Sequence, residues 1–164
     1  MSGSFEVYAE ARDGSGWRLL GGFDPSSSTG WPMPLDLPSD RIKLISNAFG
    51  AGYEDWPAAH RIPVVLRGLP PDLSPPLHDC VAGVPAYGDL DRPGWLHLDE
   101  VTRFDWRGRL GRLYDVEIAA PTAAGRHDPA TERIDALFTR VLARPEAEGV
   151  ASTSVRLVFF WVYS

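Results

Sequence analysis

The final stretch of the chain constrains the rest most. Val155-Arg156-Leu157-Val158-Phe159-Phe160-Trp161-Val162-Tyr163 is apolar at every position but one, and it is rich in the β-branched and aromatic residues that fit a pleated surface. A strand wet on one face alternates between apolar and polar. This run is apolar on both parities, so it reads as a strand covered on both faces and central in its sheet. About nine such side chains, at roughly 1.5–3 kcal/mol each when buried, hold a large share of a small domain's burial, and the remainder must fold around them. A membrane span needs about twenty apolar residues. The run is too short for that, and no membrane partner is expected.

The opening of the chain supplies a natural neighbour. Phe5, Val7, Ala9 and Ala11 fall on one parity and Glu6, Tyr8, Glu10 and Arg12 on the other; Asp13-Gly14-Ser15-Gly16 turns, and Trp17-Arg18-Leu19-Leu20 resumes an apolar run. This is the pattern of a hairpin. Residues 21–38, dense in serine, glycine and proline, read as a long loop. Ser39 is placed to cap a helix carrying Ile42, Ile45 and Phe49, stopped by Gly50 or Gly52. Ile62–Leu66 reads as a short edge strand, since Pro63 bars it from a sheet centre. Ser74 and Pro75 form a cap and first-turn pair opening a helix to Ala82, closed by Gly83. Val84–Gly94 is turn-rich, and Asp99–Trp106 reads as one short helix with acidic residues at its positive end. Leu113–Ala119 alternates as a half-exposed strand, Asp128-Pro129 opens a helix ended by Pro145, and Glu146–Ser154 links to the final strand. Strands at both ends with helices between predict an α+β fold: a single domain over residues 1–164, with a mostly antiparallel sheet and short helices packed on it.

Composition narrows the partners. Sixteen basic against 22 acidic residues give a formal charge of −6, which repels phosphate backbones, so nucleic acid is not expected as a direct ligand. The same acidity suits a basic protein partner, or simply keeps the chain soluble. A single cysteine, Cys80, excludes an internal disulfide framework and points to a reducing, cytoplasmic setting.

Tyr8, Glu10, Arg12-Asp13-Gly14 and Trp17, Asp40-Arg41 at a helix start, Arg67-Gly68-Leu69-Pro70-Pro71-Asp72-Leu73-Ser74, Trp95-Leu96-His97-Leu98-Asp99-Glu100, and Arg156-Leu157-Val158-Phe159 occur in an order and spacing that resembles an uncharacterised family of small phage and bacterial proteins. That family opens with Cys-Asp-Ile-His and carries a His-Ser-rich segment before its Ser-Trp-Leu helix. Here the first of these is replaced by Gly3-Ser4-Phe5-Glu6 and the second by Asp91-Arg92-Pro93, with Asp89 alone keeping its character. The resemblance therefore implies a retained scaffold from which a thiolate and imidazoles are gone, and no catalytic residue is carried across.

The remaining chemistry is sparse. His60, His78, His97 and His127 lack metal-ligand spacing. His78 and Cys80, two apart on a helix, point to different faces and do not make a nucleophile pair, so Cys80 reads as a small buried residue. Ser26-Ser27-Ser28 lacks the glycine-flanked elbow of a serine hydrolase. Glu6 and Glu10 share one side of the first strand, and Asp89 and Asp91 lie on a loop that the resemblance brings nearby. These four carboxylates either hold a hard cation such as magnesium or calcium, as in a small metal-dependent hydrolase, or form a solvated hairpin face. Trp31, Tyr53, Trp56 and Tyr87 sit in loops, as partner-binding anchors or as caps on the ends of the core. The leading expectation is a non-enzymatic, acidic protein-binding module with no cofactor, of immunity-inhibitor or phage-accessory type. A carboxylate-dependent hydrolase and a structural subunit of a larger assembly are the alternatives, and the oligomeric state is left open.

Overall fold

The computed structural model describes residues 3–20, 32, 34, 35, 37, 42–53, 56–63, 67–86, 88–110 and 154–163. Strands β1 (Gly3–Asp13), β2 (Gly16–Leu20), β3 (Asp89–His97) and β4 (Val155–Tyr163) form an antiparallel sheet in the order β2-β1-β4-β3. Around it lie helices α1 (Ile42–Ala48), α2 (Pro75–Gly83), α3 (Leu98–Thr102) and α4 (Trp106–Leu110). This is the expected α+β fold with the carboxyl-terminal strand in the interior of the sheet. The expected strand at 113–119, the helix from 128 and the linker before residue 154 lie outside the described residues.

β4 is sandwiched because its two parities bury against different layers. Val155, Leu157 and Phe159 share a face with Phe5, Val7, Ala9 and Ala11 of β1, and α1 packs there through Leu44, Ile45, Ala48 and Phe49, joined by Val101 and Trp106. Val158, Phe160 and Val162 share the opposite face with Tyr8, under Leu77 and Cys80 of α2 and Val84. Cys80 is buried and unbridged, as expected. The β1–β2 turn runs through Gly14 and Ser15, with Gly14 at φ 60°, the positive φ that a two-residue hairpin loop asks of its first residue.

Four expectations need correction. The second face of β1 is not a solvated hairpin face, since α2 and the segment before it cover it and Glu10 is 0% exposed. Val84–Gly94 is not turn throughout: after one short 3-10 turn, β3 begins at Asp89. Pro93-Gly94 disguised that strand, and the structure accommodates them at a register shift between Asp91 and Gly94, where a bulge relieves the ladder of its usual demands. Asp99–Trp106 is not one helix, because α3 ends at Thr102 and α4 starts at Trp106. The Trp106 indole donates to the Val101 carbonyl at 3.0 Å, pinning the break. Trp56 is 8% exposed and belongs to the core, so the interface role considered for it does not fit.

Candidate functional site

Arg156 is the single charge in β4, and a buried guanidinium must find carboxylates or stay out of the core. Its Nε donates to Glu10 Oε1 at 2.8 Å across the β1–β4 pairing, and its terminal nitrogens donate to Asp72 Oδ1 at 2.8 Å and to the Asp72 carbonyl at 3.0 Å. Its guanidinium lies 4.0 Å from the Trp17 ring centre, and the Trp17 indole donates to Asp72 Oδ2 at 3.1 Å. Glu10 Oε2 accepts the backbone N–H of Ser74 at 2.6 Å, just before α2. A strand carboxylate thus does for α2 what a capping-box glutamate does within a helix, and its charge sits at the helix's positive end. Ser74 occupies the expected cap position, but its own hydroxyl makes no cap bond. The hydrogen bonds from Arg156 hold the Asp72 carboxyl below the usual carboxylate range.

The other end of the Arg67–Ser74 segment is tied down in the same manner. Arg67 forks onto Glu100 at 2.8 and 3.1 Å and lies 4.4 Å from the Trp95 ring centre, while Glu100 Oε1 also accepts the His97 N–H at 2.9 Å. Burial alone would raise the Glu100 pKa; the Arg67 hydrogen bonds, the His97 N–H and the Arg67 charge outweigh it and lower it. The residues Glu10, Trp17, Arg67, Asp72, Ser74, Trp95, Glu100 and Arg156 therefore have a full structural occupation: they clamp one segment across all four strands. Arg12 stacks 4.7 Å from Trp17 and forms no ion pair among the described residues.

Glu6 lies on the same face as Glu10, as their spacing required, but it serves Tyr8 and Ser4, which donate to it at 2.5 and 3.3 Å. Burial, then the Glu6 charge, pushes the Tyr8 phenol far up, and burial likewise raises the Cys80 thiol, 3.9 Å from the Tyr8 hydroxyl. Asp89 and Asp91 lie on β3, not on a loop, and their register partners are Tyr163 and Trp161. Those belong to the α1 side of the sheet, whereas Glu6 and Glu10 pair with Phe160 and Arg156 on the α2 side. The sheet itself separates the two carboxylate pairs, and among the described residues no group of three or more acidic, histidine or cysteine side chains is arranged to hold a metal ion.

What the α1 side does assemble, at the Tyr163 end of the sheet, is an aromatic platform. Tyr53, in the loop after α1, is 53% exposed. Its ring meets Trp161 edge-on at 5.6 Å and Tyr163 at 6.1 Å, and its hydroxyl donates to Asp91 Oδ2 at 2.6 Å. The Arg92 guanidinium covers one side of the ring at 4.2 Å while donating to the Gly52 carbonyl at 2.7 Å. The Trp161 indole donates to the Ala51 carbonyl at 2.8 Å, and Phe5 packs beside it at 5.2 Å. A Cβ on Gly3 would collide with the Tyr163 ring, which therefore lies across the glycine. Arg92 holds a φ of 50°, a left-handed conformation that costs about 1–3 kcal/mol for a residue with a side chain. Reduced hydration and then the Asp91 hydrogen bond push the Tyr53 phenol well up.

Of the four loop aromatics, then, Tyr53 is exposed and Trp56 buried; Trp31 and Tyr87 lie outside the described residues. Sequence reasoning missed Trp161 and Tyr163, which look like ordinary core in an apolar run, and Arg92, whose signal was a charge beside Pro93. It also missed the Arg156 network, although one arginine in an apolar strand demands a carboxylate on the paired strand. No family model matches the chain, and no curated protein or solved structure is significantly similar to it.

Proposed function

We propose that the protein is a non-enzymatic protein-binding module whose contact surface is the platform of Tyr53, Trp161 and Tyr163. The observation that carries this is Tyr53: a large aromatic ring left half in water yet fixed by Asp91, Arg92, Trp161 and Tyr163. Interfaces draw their energy from a few such rings, and a ring already held loses little freedom on binding. A hydrolase built on the four carboxylates has no comparable support, because the sheet divides them. A sole cysteine, unbridged and buried, suits a cytoplasmic setting, and the resemblance to small phage and bacterial proteins suits an accessory or inhibitor role.

The test is photo-cross-linking in the native cell from a benzophenone side chain at position 53, with position 79 on the opposite face as control. A discrete adduct from 53 and none from 79 supports the reading. No adduct from either position sinks it, and an adduct with a second copy of the chain favours the assembly-subunit alternative.

A further inference from the structure

Resting on that reading, we infer the partner's chemistry: the platform seats an arginine or lysine side chain from a basic protein segment. The cross-strand ladder sets the geometry. In the outermost register Asp89 stands beside Tyr163, and one step inward Asp91 stands beside Trp161; directly paired side chains on one face have Cβ atoms about 4.5–5.5 Å apart. Each of these two aromatic residues thus has an acidic residue as its neighbour on β3. Asp89 is exposed and has no ion-pair partner among the described residues. Asp91 accepts the Tyr53 hydroxyl at 2.6 Å and the Arg92 N–H at 2.9 Å, and its contact of 3.8 Å to Arg92 Nε is long for an ion pair.

A ring face beside a carboxylate is the combination that selects a cation, through the ring's negative quadrupole and the neighbouring charge together. The molecule already demonstrates the pairing with its own residue, since Arg92 lies over Tyr53 beside Asp91. One register out, Asp89 is the cross-strand neighbour of Tyr163, with no arginine of the described residues over that ring. The chain's formal charge of −6 adds long-range attraction for a basic segment and repulsion for an acidic one. In sequence, Tyr53 is also followed by two further acidic residues, Glu54 and Asp55.

The test is an NMR titration of the full chain with a hexa-arginine peptide, a hexa-glutamate peptide and tetramethylammonium, following the Trp161 indole N–H at low and moderate salt. Saturable, salt-sensitive shifts with hexa-arginine alone are expected. Asp89→Asn and Tyr53→Ala should each weaken binding by about two- to fivefold, the range of exposed cation–π and ion-pair contacts, while Asp79→Asn on α2 leaves it unchanged. Equal response to hexa-glutamate, or equal weakening by Asp79→Asn, overturns the inference. Tetramethylammonium binding as tightly as hexa-arginine replaces a protein segment with a small cation. If position 53 cross-links to a protein but hexa-arginine does not bind, the cation is wrong and the binding surface stands. If neither occurs, both fall.

Discussion

The two ends of β4 are built from the same ingredients and put to opposite uses. At its start, Arg156 lies 4.0 Å from an indole ring and is held by Glu10 and Asp72; at its end, Arg92 lies 4.2 Å from a phenol ring beside Asp91. The Arg156 side chain is 4% exposed and that of Glu10 0%, whereas those of Arg92 and Asp91 are 39% and 49% exposed. In the first cluster Arg156 bonds through Nε and both terminal nitrogens, and the pair it makes with Glu10 is sealed. In the second, Asp91 accepts the Tyr53 hydroxyl and the Arg92 N–H, and what is left over is ring surface and the neighbouring Asp89 carboxylate. Chemistry of one kind is structural when its valences are closed and interactive when they are open. Composition alone cannot tell which, because burial decides.

The largest effects should come from breaking the closed cluster. Arg156→Met leaves Glu10 buried without its cation, and unpairing a buried ion pair typically costs about 3–5 kcal/mol. Urea denaturation should show that loss. The double variant Glu10→Leu/Arg156→Met should recover much of it, because an apolar pair of similar volume is often tolerated where a lone charge is not. If the single variant lost under about 1 kcal/mol, water would have to reach Glu10, and the contrast between the two ends would collapse.

Trp56→Ala should cost nearly as much, about 3–5 kcal/mol, as truncating a large core aromatic usually does. This outcome separates two aromatics that the sequence presents together in Tyr53-Glu54-Asp55-Trp56-Pro57. Nothing in that pentapeptide says which ring turns inward. The decision rests on the long-range partners each ring finds: Trp56 joins the core with Phe49 and Ile62, and Tyr53 meets β3 and β4. The central place of β4 and the hairpin were legible because binary pattern and turn chemistry are local. The covered second face of β1 was not legible, since Glu6, Tyr8 and Glu10 look solvent-facing until a distant segment supplies Asp72, Ser74 and α2. β3 was hidden by Arg92-Pro93-Gly94, which read as turn and act as a bulge.

A smaller effect tests the rim of the closed cluster through pH. The folded-state pKa of Asp72 is depressed by Arg156, so its contribution is present above the unfolded carboxylate value of about 3.9 and is lost as pH falls through the lower folded value. Asp72→Asn should therefore flatten the acid limb of the stability curve below about pH 4, while changing stability at neutral pH only modestly, as expected for a side chain 54% exposed. An acid limb that keeps its steepness would move the titrating group elsewhere. Glu100, lowered against Arg67, is then the next carboxylate to substitute.

The smallest effect on stability belongs to the open cluster and is the most telling. Tyr53→Ala removes a half-exposed ring, and surface substitutions usually stay within about 0.5 kcal/mol; its loss of contacts with Trp161 and Tyr163 places it near the upper edge of that range. Thermal unfolding of the variant should overlay the parent closely, while the hexa-arginine response falls. Arg92 sharpens the point, because its left-handed backbone lets Arg92→Gly relieve strain while deleting the cation that covers Tyr53. If the platform exists only to hold β3 against β4, Arg92→Gly should destabilise and leave peptide binding untouched. If the platform is a seat for an incoming cation that Arg92 partly occupies, the same substitution should tighten hexa-arginine binding at little cost in stability, and the two readings part on the sign of one measurement.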